Sequence, residues 1–431
     1  MHRNTLKWLI LGGLIRTYLV NSEVGTIMAN RVEIATPLNS FKKAQEGIYL
    51  LKHNIDPYAG DMVHEIPLML WLLWHAMNLL QGWLPLLYVM LDLMTAIVLY
   101  KTSQLFVRKK LSEQSKDLEH YAAGTEDLQY QPIDELTMPR CVLLAYLFNP
   151  LALFNCAGLT CTIFSNFLLS VALYGLVDRR ALLFSLCVAL EAMRNMYPIV
   201  LLAPAVLVFG KKQVKPIVYF LFLFISICMI ICWLNYKIVG NWRYLDGTLG
   251  FIFFYRDLQP NIGLFWYFFT EMFEHFRTLF LITFQMNATI LYMLPLTMKV
   301  RKEPILLTTI LIGLMSIFRA YPCLGDVSFY LALLPLWKRS LKFFSFTVMA
   351  HNFVVFCLFL VSLCILPTLW HLWIYSGSAN ANFYFGATLA FSTGQIFLIT
   401  DLLYAQVKRE FCLYHGLKIV VDGKDAKIVL G

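Results

Sequence analysis

The sequence predicts an all-α fold, a polytopic bundle of transmembrane helices. Of the 431 residues, 59% are hydrophobic and only 14% are charged, whereas about 25% of the residues of a soluble domain are charged. Lys and Arg gather in short runs between apolar segments, as at Arg108-Lys109-Lys110 and Lys338-Arg339, and such runs mark the cytosolic ends of membrane spans. Membrane topology therefore explains the net charge of +9. A nucleic-acid-binding protein is not indicated, because no basic patch is interleaved with aromatic residues.

The first part of the chain is predicted to cross the membrane, form a luminal loop and return. A basic N-terminus precedes a first span at residues 6–20, so residues 21–67 form the luminal loop. Residues 67–80 are long enough for only half of the bilayer, and we expect them to be re-entrant or to lie in its plane. Residues 83–107 form a full span with Asp92 inside it. A helix within the loop is predicted by four apolar residues at helical spacing, Phe41, Ala44, Ile48 and Leu51.

The remainder of the chain is punctuated by charge and proline. Residues 108–139 are the long hydrophilic stretch, and we expect a mobile cytosolic linker there. Short, proline-broken apolar segments follow, giving about twelve spans with both termini in the cytosol. The multispanning membrane domain is expected to cover residues 1–404 and a cytosolic tail to cover residues 405–431. The alternating pattern around Asp422-Gly423 predicts a small hairpin in this tail.

The stretch Pro260–Phe276 combines aromatic residues with ionisable groups. On a continuous helix Glu271, Glu274 and His275 would share one side, and Phe276 would lie with the aromatic residues on the other. Ionisable groups in an apolar segment are costly unless they are paired or hydrated, so these four residues form a candidate functional motif. The alternative is an amphipathic helix at the membrane surface, whose charges are hydrated or paired for structural reasons.

Two pairs of side-chain amides mark a candidate lipid-binding site. Gln285 and Asn287 begin one predicted span on the luminal side, and Asn380 and Asn382 begin the last one. Amides donate and accept hydrogen bonds, which suits the sugar hydroxyls and phosphate oxygens of a glycolipid head group. The alternative is that the amides bond to neighbouring helices.

The sequence gives less support to an enzymatic function than to lipid binding. A glycosyltransferase acting on lipid-linked sugars would need acidic residues on the luminal loop, usually as a close pair. The sequence contains no D-x-D motif, and the loop's acidic residues are scattered: Glu33, Glu46, Asp56, Asp61 and Glu65. Only a site assembled by folding would support catalysis.

The sequence also gives only weak indications of a cysteine nucleophile and of a metal site. Cys323 and His371 lie in loops on the same predicted side, but the sequence shows no group that would activate the thiol. The donor groups His64, Glu65, Glu271, Glu274 and His275 lack the spacing of a metal site. We therefore expect no catalytic residue, no metal and no cofactor.

Several longer stretches carry a family resemblance. PNIGLFWYFFTEMFEHF (260–276), YPCLGDVSFYLALLPLW (321–337) and PTLWHLWIYSGSANANF (367–383), together with Arg31-Val32-Glu33, Asp56-Pro57-Tyr58 and His64-Glu65, resemble the U-subunit family of glycosylphosphatidylinositol (GPI) transamidase. The resemblance implies a fold like that of the multispanning (GT-C-like) mannosyltransferases. It also implies a non-catalytic subunit of a five-subunit complex of the endoplasmic reticulum membrane, which attaches GPI anchors to proteins.

The same resemblance implies the partners. They are a cysteine-protease catalytic subunit, three further membrane subunits and the GPI lipid, with membrane phospholipids around the spans and no nucleic acid. It does not assign roles to the four amides, whose contact with GPI is inferred from their chemistry. We interpret the chain as a scaffold that binds or presents the GPI lipid. The alternatives are an active mannosyltransferase that uses Glu33 or a luminal Asp, and an assembly subunit that never touches substrate.

Overall fold

A computed structural model describes residues 3–210, 213–341, 349–417, 420–421 and 424–425. The helices of the first half are α1 (Arg3–Val20), α2 (Glu23–Met28), α3 (Phe41–Lys52), α4 (Pro67–Leu80), α5 (Leu84–Asp117), α6 (Asp134–Leu147), α7 (Pro150–Ala157), α8 (Thr162–Val177), α9 (Ala181–Arg194), α10 (Leu202–Phe209) and α11 (Val214–Val239). Those of the second half are α12 (Arg243–Leu245), α13 (Phe251–Phe254), α14 (Phe265–Glu271), α15 (Arg277–Met286), α16 (Met293–Lys299), α17 (Pro304–Phe318), α18 (Leu324–Leu333), α19 (Lys338–Leu341), α20 (Met349–Trp370) and α21 (Ala381–His415). The all-α prediction is confirmed.

The helix predicted in the loop at residues 21–67 is present as α3. Ala44 and Ile48 are buried as the spacing requires. The predicted hairpin is also present, since β1 (Val420–Val421) pairs antiparallel with β2 (Lys424–Asp425). In both places a short periodic pattern was sufficient, because the contacts it specifies are local.

Local sequence also explains several helix ends. The side-chain oxygen of Asn149 accepts a hydrogen bond from the backbone N–H of Leu151 at 3.0 Å, with Pro150 at the first position of α7. Such a cap satisfies a donor that the helix leaves open. At the end of α11, Gly240 adopts a left-handed φ of +78°, which glycine takes without the steric cost of a Cβ atom. These boundaries are therefore set before tertiary packing acts.

Within the described residues, five helical stretches are long and apolar enough to cross a membrane. They are Pro67–His120, Val214–Val239, Glu274–Lys299, Phe353–Tyr375 and Ala381–His415, and α6 with α7 would make a sixth, bent by 46°. Other apolar helices are shorter, such as α8 with 16 residues and α17 with 15, whereas a span needs about 20. The count of about twelve spans stays a prediction.

The apolar residues 67–80 and the hydrophilic residues 108–139 show features that the sequence did not predict. α4 continues through a short 3-10 turn into α5, giving a helical stretch of 54 residues. The placement of residues 67–80 as a re-entrant or in-plane segment stays a prediction. The expected mobile linker is anchored at several points, although much of it is exposed. Tyr130 is buried, with the guanidinium of Arg409 4.8 Å from its ring centroid. Asp134 at the start of α6 accepts a hydrogen bond from Arg339 at 2.7 Å. Polar and aromatic residues of the segment 108–139 therefore form ion pairs and cation–π contacts with distant helices.

The core surrounds α18, which packs against α6, α7, α8 and α17. Gly325 permits the close approach of α18 to α7, because a Cβ atom there would lie 2.4 Å from Oδ1 of Asn155. Peripheral helices keep apolar side chains outside, such as Phe222 of α11, which is 68% exposed. This arrangement suits a bundle whose surroundings are membrane lipid or partner helices.

Candidate functional site

α14 is the element that positions the candidate site. Its seven residues, FWYFFTE, place aromatic rings on both sides of one short helix. On one side, Phe265 and Phe269 pack against Phe284 of α15, with ring centroids 5.0 and 5.5 Å apart. On the other, Trp266 stacks on Trp373 at 6.1 Å, close to the start of α21. Aromatic pairs at these separations stabilise beyond their buried area, so α14 is held between the two elements that carry the predicted amides.

Asn382 is brought directly to α14. The hydroxyl of Tyr267 donates a hydrogen bond to Oδ1 of Asn382 at 2.6 Å, and the Tyr267 ring stacks on Phe385 at 4.4 Å. Asn382 itself remains exposed. Its oxygen is therefore fixed, while its amide N–H₂ group stays available to a ligand.

Asn380 has a structural role at the start of α21. Its side-chain oxygen accepts from the backbone N–H groups of Asn382 and Phe383, at 3.1 and 3.4 Å, and so caps α21. Such a cap contributes about 1 kcal/mol. The first helical turn that presents Asn382 thus depends on Asn380.

The other pair of amides is not open in the same way. Gln285 is buried: its Oε1 accepts from the hydroxyl of Tyr197 at 3.0 Å, and its Nε2 donates to the carbonyls of Ile252 and Phe253 at 2.9 and 3.2 Å. This amide joins three elements, as the structural alternative predicts. Asn287 is half-buried at the start of a π-helical turn, Asn287–Leu291. The two pairs therefore do not face one open site, although α14 lies between them.

The expectation that Glu271, Glu274 and His275 share one side of a continuous helix is wrong. α14 ends at Glu271, the backbone is extended at Met272 and Phe273, and a 3-10 turn follows at Glu274–Phe276. Glu271, Glu274, His275 and Phe276 are all exposed. By leaving the helix here, the chain keeps three ionisable groups out of the apolar interior, where they would be costly. Their role as a functional motif stays a prediction.

A buried ion network is the feature that sequence reasoning missed. Arg194, whose side chain is 7% exposed, donates to both carboxylate oxygens of Glu65 at 2.7 Å and to Glu191 at 3.0 Å. Bidentate pairs between a guanidinium and a carboxylate are strong and geometrically specific. The only signal in the sequence was an arginine inside an apolar helix. The network fixes the loop at residues 21–67 to the bundle.

Small polar cavities continue this network towards α17 and α18. Arg319 pairs with Asp326 at 2.5 Å, and both side chains line the cavities with Asn195 and Glu191. Oδ1 of Asn195 is buried without a protein partner among the described residues. The cavities have room for about one water molecule each, which would suit such an atom. The polar side chains around these cavities join the loop at residues 21–67, α9, α17 and α18.

The side chains considered for catalysis are engaged elsewhere. Glu33 is paired with Arg31 at 2.7 Å and is buried. The thiol of Cys323 contacts the hydroxyl of Thr162 at 3.4 Å, and burial raises its pKa to about 12. His371, which was considered together with Cys323, is exposed and packs on Tyr375.

His64 and Glu65 are likewise used in structure. Nδ1 of His64 lies 2.9 Å from the carbonyl of Gly247, and burial lowers the pKa of His64 to about 4. The imidazole is therefore neutral near pH 7 and donates this hydrogen bond. In the part of the chain that the structure describes, no group of three or more His, Cys, Asp and Glu side chains suits a metal ion.

The fold and the site together define an α-helical integral membrane protein that presents aromatic and amide groups at one end of its spans. The chain belongs to the PIG-U family, described as GPI transamidase subunit PIG-U, whose model matches residues 10–391. It is similar to the GPI-anchor transamidase component PIGU of Cricetulus griseus and of Homo sapiens, with 35% and 34% identity over 98% of each chain. It is also similar to the GPI transamidase component GAB1 of Saccharomyces cerevisiae, with 29% identity over 88% of each chain. The resemblance carried by the aromatic and amide stretches is confirmed, and membership supports a role in GPI-anchor attachment.

Proposed function

We propose that this chain is a non-catalytic subunit of GPI transamidase that holds the GPI lipid for transfer to proteins. The observation that carries the proposal is the exposed Asn382, whose oxygen is fixed by Tyr267. A pre-oriented amide binds a polar head group at lower entropic cost than a mobile one. Its free N–H₂ group suits a phosphate or sugar oxygen.

The neighbouring apolar surface supports a lipid as the ligand. α15 packs against α14 and leaves Leu279, Ile282 and Met286 exposed. Acyl chains would lie along this face, while the glycan and phosphate reach Asn382 at its end. α14, held by aromatic contacts on both sides, keeps these two parts of the site together.

The pairing of two luminal-loop glutamates with arginines supports a non-catalytic role. Glu33 and Glu65 are each held bidentately by an arginine, so neither is placed as a general base. In this proposal the scaffold is a GT-C-like fold of about twelve spans in the endoplasmic reticulum membrane, with both termini cytosolic. A cysteine-protease subunit performs the chemistry, and three further membrane subunits complete the complex. An active mannosyltransferase is the less supported alternative.

A second candidate function is assembly without substrate contact. The buried amide of Gln285 and the capping amide of Asn380 favour it, because both are satisfied by protein groups. Under this alternative Asn382 also serves only to join α21 to α14.

Lipid retention in the assembled complex distinguishes these functions. We would compare Asn382→Ala and Tyr267→Phe with Gln259→Ala, which removes an exposed amide from the loop before α14. GPI that co-purifies with the complex is quantified by mass spectrometry. Loss of such a hydrogen bond should lower retention roughly 5- to 150-fold, as about 1–3 kcal/mol implies.

Tyr267→Phe should give a smaller loss in the same direction, because it frees Asn382 without removing it, and Gln259→Ala should have no effect. Unchanged GPI in the Asn382 variant, with all subunits present, would establish the assembly function instead.

A further inference from the structure

An apolar groove, distinct from the exposed face of α15, lies between α16, α17 and α21. It encloses about 330 Å³, within the range of ligand sites in proteins, roughly 300–1,000 Å³. Its walls include Leu296, Ile310, Leu314, Phe318, Ile399 and Leu403. These six side chains are apolar. Tyr292 and Thr400 also line the groove, and the hydroxyl of Thr400 donates to the carbonyl of Ile396 within α21 at 2.8 Å, so the groove suits a hydrocarbon chain.

Two irregular features of the local sequence lie beside the groove. The π-helical turn Asn287–Leu291 inserts one residue per turn before α16 begins, and Pro295 then lacks the N–H that would bond to the preceding turn. π-turns and prolines are the usual causes of helix kinks. The groove lies beside this irregular stretch, between α16, α17 and α21.

The groove has the depth of one membrane leaflet. Its lining runs along α17 from Ile310 to Phe318, which is about 12 Å at 1.5 Å per residue. One leaflet contributes about half of the 30 Å hydrocarbon core. The groove could therefore take one acyl chain of a lipid that stays in its own leaflet.

Two cations mark the open end. Lys299 lines the groove and Arg301 lies in the turn beyond it, and both are exposed. Neither is ion-paired within the described part of the chain, whereas the adjacent Lys302 pairs with Glu410 at 3.1 Å. Free cations at the end of an apolar groove complement an anionic phosphate.

We propose that this groove binds one anionic glycerophospholipid, with an acyl chain against Leu314 and Ile399 and its head group at Lys299 and Arg301. The site is separate from the proposed GPI site. Lys299 ends the 26-residue stretch Glu274–Lys299, whose opposite end adjoins α14. The two sites would thus serve lipids of opposite leaflets.

Photo-crosslinking in nanodiscs tests the proposal. The complete transamidase containing this chain is reconstituted in phosphatidylcholine with a phosphatidylserine that carries a diazirine in its acyl chain. Labelled peptides are then mapped by mass spectrometry. We expect labelling within residues 396–403, reduced by competing phosphatidylserine and not by phosphatidylcholine.

The variants separate charge from shape. Lys299→Gln with Arg301→Gln should lower labelling up to about 25-fold, from roughly fivefold for each cation at an anionic surface. Leu314→Trp, which fills the groove, should abolish labelling while leaving both charges. The matched controls Lys338→Gln and Leu360→Trp change an exposed cation and an exposed apolar residue outside the groove, and should have no effect.

Three outcomes would overturn the proposal. They are equal labelling by a phosphatidylcholine probe, labelling that Leu314→Trp leaves intact, and labelling that is present in the isolated chain but lost in the complex. The last would show that a partner helix occupies the groove. Co-purifying GPI is measured on the same samples and should not change, so failure here is distinguishable from failure of the GPI proposal.

Discussion

Arg194 shows how one side chain can determine the local structure of a buried site. Its guanidinium meets two carboxylates, Glu65 and Glu191, in the interior. Removing charges from water is expensive, and the attraction between them offsets that cost only while every partner is present. The network is thus a strong constraint on the loop at residues 21–67, although it need not add net stability over an apolar core.

Arg194→Leu is therefore expected to destabilise the protein by about 3–5 kcal/mol, because two buried carboxylates lose their partner. Arg256→Leu is the matched control. Arg256 contacts both oxygens of Asp246 at 2.6 and 2.8 Å, but this pair is exposed, and exposed pairs contribute about 1 kcal/mol or less. Thermal denaturation of the detergent-solubilised protein, followed by size-exclusion chromatography, measures both. Equal losses in the two variants would contradict the argument.

The candidate site was partly predictable at this scale. Asn382 could be proposed because an amide at the luminal start of a span suits the oxygens of a glycolipid head group. The partner, Tyr267, lies 115 positions away, and no periodicity connects them. Gln285 carried the same signal as Asn382, yet folding buried it, because the carbonyls of α13 lie within its reach.

Single elements are fixed by polar contacts inside apolar surroundings. α1 is joined to α5 by Arg16, which donates to Asp92 at 2.5 Å, and Asp92 also accepts from the hydroxyl of Tyr146 at 2.6 Å. Arg16 donates as well to the carbonyl of Leu147 at 2.8 Å. One charged pair thus sets the position of α1 against both α5 and α6.

Asp92→Asn should loosen α1, because it leaves the buried charge of Arg16 uncompensated, at a cost of about 3–5 kcal/mol. The double variant Arg16→Met with Asp92→Leu should recover much of this loss, because no buried charge remains. The melting temperatures of the single and double variants test this. A double variant less stable than Asp92→Asn would contradict the argument, because the uncompensated charge of Arg16 would then not be the main cause of the loss.

The break between α14 and α15 is also a property of single helices. Helical spacing predicts a continuous amphipathic helix through residues 260–276, but the exposed termini of two shorter helices form instead. Helix propensity differs by only a few tenths of a kcal/mol between most residues. The free energy gained by hydrating three ionisable groups and by the aromatic packing of α14 exceeds these differences in helix propensity.

For the whole molecule, α21 connects the membrane bundle to the region at residues 118–134. It passes residue 404, where the sequence suggested a domain boundary, and continues unbroken to His415. Arg409 on this extension donates to the carbonyl of Leu128 at 2.9 Å and lies over the ring of Tyr130. The division at 404 stays a prediction about membrane topology, while the packed unit extends beyond it.

Truncation of the chain tests whether the part of α21 beyond residue 404 stabilises this packed unit. A chain ending at residue 404 should lose about 2–4 kcal/mol, because a charged hydrogen bond and a cation–π contact disappear. A chain ending at residue 417 retains both contacts and should match the full chain. Thermal stability and recovery of the assembled complex provide the measurements, and equal behaviour of the two truncations would show that the extension is dispensable.

The sequence by itself determined the helical membrane class, the helix α3, the terminal hairpin and the family. These features depend on composition, on periodicity within one element and on contiguous motifs, and the bilayer enforces them because backbone groups must be satisfied inside each helix. The tertiary structure alone decided which carboxylates are paired with arginine, which amides stay exposed and where a groove lies between helices. Those outcomes join residues more than a hundred positions apart, such as Glu65 and Arg194, and their energies depend on burial, which no local pattern records.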